Sequence, residues 1–75
     1  MTTIFTEWQS YLRDVVPRNA SHIQKEECRR AFYAGALASF ALTLDAGSVE
    51  DEEVAAANLK RLQDEIRVVT KDLRL

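Results

Sequence analysis

At 75 residues, 47% hydrophobic and with a formal net charge of -2, the chain is at the low end of what folds alone around one core, where a staple or a partner is usually needed. A single cysteine excludes an internal disulfide, and a lone histidine leaves no metal-ligand spacing. The near-balanced charge excludes the one-signed excess that marks a nucleic-acid binder or an acidic DNA mimic. Oligomerisation is the device that remains, so residues 1–75 are expected to form one small helical domain that assembles with itself, with no cofactor, no metal and no nucleic-acid partner.

The first predicted helix covers about 3–16, with Phe5, Trp8, Leu12 and Val15 at helical spacing and Thr2 or Thr3 as its cap. Pro17 stops it, because proline drives the preceding residue out of the helical region, and residues 17–20 then read as a connector. Ser21 with Gln24 three residues on is a capping-box pattern that starts a second helix near His22, running to about 46. Its first turns are polar, with Ile23 and Cys28 the apolar positions before Ala31. From there the helix is apolar nearly all round but built from small side chains at four-residue intervals, Ala31, Gly35 and Ser39 on one line and Ala34, Ala38 and Leu42 on the next. Small residues in such rows let another backbone come close. Ala31, Gly35, Ala38, Ser39 and Leu42 are therefore the expected oligomer interface.

Gly47 has the character of a left-handed helix cap, Ser48 that of the next N-cap, and the acids from Glu50 to Glu53 suit the positive end of a third helix over about 49–73. Along it Ala55, Leu59, Leu62, Ile66, Val69 and Leu73 alternate spacings of four and three, the seam of a coiled coil or helical hairpin. The short turn between the two long helices implies an antiparallel hairpin, which the first helix crosses and a second subunit covers. The fold class is thus all-α: a short N-terminal helix plus an antiparallel hairpin of two longer helices, assembled as a homo-oligomeric bundle. The apolar run from Ala31 to Leu44 is shorter than the roughly 20 residues of a bilayer span and is broken by Ser39 and Thr43. With no basic-then-apolar leader read at the start and one free thiol, no membrane and a reducing cytoplasm are expected.

No pattern of catalytic residues stands out, and the chain is not expected to be an enzyme. Cys28 and His22 are six residues apart on one helix, on faces that do not meet. The adjacent acids Glu26 and Glu27 point in different directions, and neither glycine belongs to a phosphate loop. One line carries more chemistry: His22, Lys25, Arg29 and Tyr33 follow one another at spacings of three, four and four near a helix N-terminus. Arg offers bidentate contacts to phosphate and Tyr a stacking face, so together they suit an anion with a flat ring attached. The plainer account pairs Lys25 and Arg29 with Glu26, Glu27 or Asp14 and leaves Tyr33 at the rim of a bundle.

At Arg29-Arg30-Ala31-Phe32-Tyr33-Ala34-Gly35-Ala36 the chain resembles a group of small proteins of tailed bacteriophages and prophages. The likeness extends to the layout: an aromatic first segment at Trp8, a connector with Pro17, and an acidic C-terminal helix. The resemblance implies a phage context and a helical bundle rather than an activity. Two functions of different class follow. One is an oligomeric accessory module that captures a host or defence component, either a host protein or an anionic nucleotide signal. The other is an assembly part that serves only protein contacts.

Overall fold

The structure, a computed structural model, describes residues 1–75 as three α-helices and no strand: α1 over Ile4–Asp14, α2 over His22–Gly47 and α3 over Glu52–Asp72. The all-α expectation holds. Packing divides the chain into two compact units, Met1–Ala38 and Ser39–Leu75, with the boundary inside α2.

In the first unit Thr3 is the N-cap of α1, its backbone extended and its Oγ1 accepting the Thr6 N–H at 3.1 Å. The helix ends at Asp14, two residues short of the expected end, because Pro17 bars Val16 from helical backbone and the unwinding has begun at Val15. Val15 therefore does not continue the inward stripe: it is exposed, and Val16 is buried instead. Phe5 is exposed as well. The Ser21–Gln24 capping box forms as expected, Ser21 N–H donating to Gln24 Oε1 at 2.9 Å and Gln24 N–H to Ser21 Oγ at 3.1 Å. It starts α2 at His22. α1 packs on the opening half of α2 through rings: Phe32 lies 5.5 Å from Trp8 and 5.6 Å from Tyr11 between centroids, and Trp8 stacks on Tyr11 at 6.2 Å.

In the second unit the end of α2 and the start of α3 run antiparallel. Asn58 Nδ2 donates to the Ala46 carbonyl at 3.3 Å, and an open groove of about 430 Å³ has Leu42 and Ala46 on one wall, Asn58 and Leu62 on the other. The turn is made differently from the expectation. Gly47 is the last residue of α2 and its φ is not positive, so no left-handed cap forms. Ser48 is not the cap of α3, because its hydroxyl closes the end of α2 by donating to the Asp45 carbonyl at 2.9 Å. The cap is Asp51, whose Oδ1 accepts from Glu53 N–H at 2.9 Å and Val54 N–H at 3.2 Å. A carboxylate there satisfies two orphan donors and suits the helix dipole, which moves the start of α3 to Glu52.

Only Trp8, 5% exposed, and Val16, 7% exposed, are buried apolar residues, and both belong to the first unit. Of the α3 seam, Ala55 and Leu62 are half-buried while Leu59, Ile66, Val69 and Leu73 are exposed. The chain presents 6704 Å² to solvent.

Candidate functional site

The four residues of the predicted line sit on the first three turns of α2, which the capping box fixes in place from Ser21 onward. Arg29 and Tyr33 come together: the guanidinium carbon stands 6.0 Å from the ring centroid of Tyr33, a cation over an aromatic face. Tyr33 is half-buried and meets Phe32 edge-on at 6.0 Å, so it adjoins the cluster formed by Phe32, Trp8 and Tyr11. Lys25 is half-buried and enters no salt bridge. His22 is exposed at the head of the helix.

The plainer account, with the cations spent on neighbouring acids, is only partly realised. Arg29 Nη1 approaches Glu26 Oε2 at 3.6 Å, a loose contact between two substantially exposed groups. Asp14 is taken by Arg13, whose Nε and Nη2 donate to its two carboxylate oxygens at 2.9 and 3.2 Å. That bidentate hydrogen bond holds the Asp14 carboxyl below the usual carboxylate range and raises Arg13 above its own ordinary value. Glu27 pairs with no cation. Arg29 thus keeps most of its donors free above an aromatic ring. One open groove on this unit is lined by Thr2, Thr3, Ile4, Glu7, Phe32 and Ala36.

The residues expected at an oligomer interface, Ala31, Gly35, Ala38, Ser39 and Leu42, are all exposed on the single chain. A Cβ built on Gly35 would meet nothing within 4 Å. Cys28 is half-buried and has no disulfide partner. No group of three or more His, Cys, Asp and Glu is placed to hold a metal ion, and no helix is long and apolar enough to cross a membrane. The link that spacing alone did not give is Phe32. As the neighbour of Tyr33 it points to another side of α2, and only the packing of α1 shows that it ties the Arg29–Tyr33 pair to Trp8 and Tyr11. No protein-family model matches the chain, and neither do any curated protein or solved structure.

Proposed function

We propose that the protein is a self-assembling, non-enzymatic binding module that captures a small anionic molecule with a flat ring, a nucleotide-like signal, along the line His22, Lys25, Arg29 and Tyr33. The observation that carries this reading is Arg29: its guanidinium lies over the Tyr33 ring, held only by a 3.6 Å contact to Glu26. A guanidinium in that state has planar donors to give to a phosphate, and the ring beneath it has a face to give to a base. Lys25, half-buried without an acid, adds charge, and the α2 N-terminus adds a partial positive field. In the setting that the phage resemblance implies, such a module acts in the bacterial cytoplasm and blunts a defence that signals through nucleotides. Copies of the chain assemble through the small-residue face of α2, where Ala31, Gly35, Ala38, Ser39 and Leu42 are open to a close helix contact.

The test is a thermal-shift series against cyclic and linear nucleotides at low and high salt, with native mass measured on the same samples. Binding is expected to raise the melting temperature, to weaken with salt, and to lose roughly 1.5–3 kcal/mol in Arg29→Ala, the worth of a charge-assisted hydrogen bond. No shift with any nucleotide at any salt overturns the ligand reading. A second reading, a purely structural part of a phage assembly, draws on the exposed Leu37, Phe40, Leu44 and Ile66. It would be favoured by a chain that assembles normally and binds no nucleotide.

A further inference from the structure

The turns of α2 after the capping box carry two adjoining lines. Lys25, Cys28, Phe32 and Ala36, spaced three, four and four, are all half-buried, and Phe32 meets Trp8 and Tyr11, so this line packs against α1. On the next line round the helix Glu26 stands three residues before Arg29 and seven before Tyr33. Its Oε2 lies 3.6 Å from Arg29 Nη1, while the guanidinium carbon lies 6.0 Å from the Tyr33 ring centroid. Nothing else neutralises Glu26: Lys25 beside it and Arg30 four residues on enter no salt bridge. A phosphate that takes the remaining donors of Arg29 must therefore settle within a few ångströms of that carboxylate, and each further unit of its charge is repelled. A phosphodiester brings one charge, whereas a terminal phosphate brings about 1.5 to 2 at neutral pH. We infer that Glu26 is a specificity residue of this site, and that the ligand presents its phosphate as a singly charged diester, not as a terminal monoester. The inference rests on the ligand reading above and narrows it.

Cyclic AMP and AMP share base and sugar and differ in this charge, as do cyclic GMP and GMP. The two pairs are compared by calorimetry at one salt concentration on wild type, Glu26→Gln and, as control, Glu27→Gln, which removes the same charge from another side of α2 where it pairs with no cation. Wild type is expected to bind the cyclic member of at least one pair roughly tenfold more tightly than its monoester. In Glu26→Gln the monoester gains about that factor and the preference closes, while Glu27→Gln keeps it. The Glu26–Arg29 contact is loose and exposed, so Glu26→Gln keeps the wild-type melting temperature. Equal or tighter monoester binding by wild type overturns the inference and leaves the ligand reading standing, and so does a preference that survives in Glu26→Gln or closes equally in Glu27→Gln. Binding of neither pair by any of the three proteins also overturns it, and the ligand reading falls as well if the wider nucleotide series gives no shift.

Discussion

The ring of Phe32 on α2 lies 5.5 Å from that of Trp8 on α1, tilted by 57°, and this pair is the centre of what the chain buries. Aromatic pairs in that geometry add to the area they hide. Trp8 has no buried large residue besides Val16 to share its role. Trp8→Ala is therefore expected to cost roughly 3–5 kcal/mol, a large part of what so small a protein has. Chemical denaturation followed by helix signal checks this, and a loss under 1 kcal/mol would mean that the first unit does not depend on the ring cluster.

The existence and order of the helices were legible because local devices announce them: Thr3, the Ser21–Gln24 box and Pro17 each act within four residues, and each works in the structure as its chemistry requires. The turn was not. Ser48 and Asp51 are both good caps, and which one serves depends on whether the Ser48 hydroxyl is free, a matter of how α2 ends. Periodicity likewise marked the seam of α3 without saying what covers it. At the candidate site, spacing put Arg29 and Tyr33 on one line, and the structure brings them into contact. Whether a cation is free or spent depends on rotamers and on competing partners such as Arg13 for Asp14, which no spacing encodes.

The two capping candidates separate under mutation. Asp51→Ala removes the acceptor of two N–H groups and is expected to destabilise by about 0.5–2 kcal/mol. Ser48→Ala removes only a hydroxyl on an exposed carbonyl and should change stability by a few tenths. Equal losses in the two variants, read from denaturant midpoints, would return the cap to Ser48.

Arg13 and Asp14 give a pH dependence with a definite sign. The folded carboxyl is held low by its hydrogen bonds to Arg13, so any stability from the pair is fully present above the ordinary carboxylate range and is lost as pH falls through the lowered value. Both groups are exposed and adjacent in sequence, so the unfolded chain keeps part of the contact and the effect on folding is small. The pKa itself is the better readout. A carboxyl NMR titration should find Asp14 below the common range, and Arg13→Gln should move it back up. An unmoved Asp14 in that variant would assign the shift to another cause.

Gly47 and Gly35 are both helical without positive φ, and a Cβ on either meets nothing within 4 Å in the single chain. On the chain by itself, alanine at each position should therefore add roughly 0.8–1 kcal/mol through helix propensity, less at Gly47 because it ends α2. The assembly proposed through Ala31, Gly35 and Ala38 makes the two sites behave differently. Gly47→Ala should raise the melting temperature and keep the native mass. Gly35→Leu places a bulky side chain where a second backbone is expected to come close, a change that costs about 1–3 kcal/mol in a filled contact, and it should lower both the assembled mass and the concentration dependence of melting. Gly35→Leu with wild-type mass and stability would show that face to be open in the assembled protein, and the close contact would then have to be sought along the α3 seam.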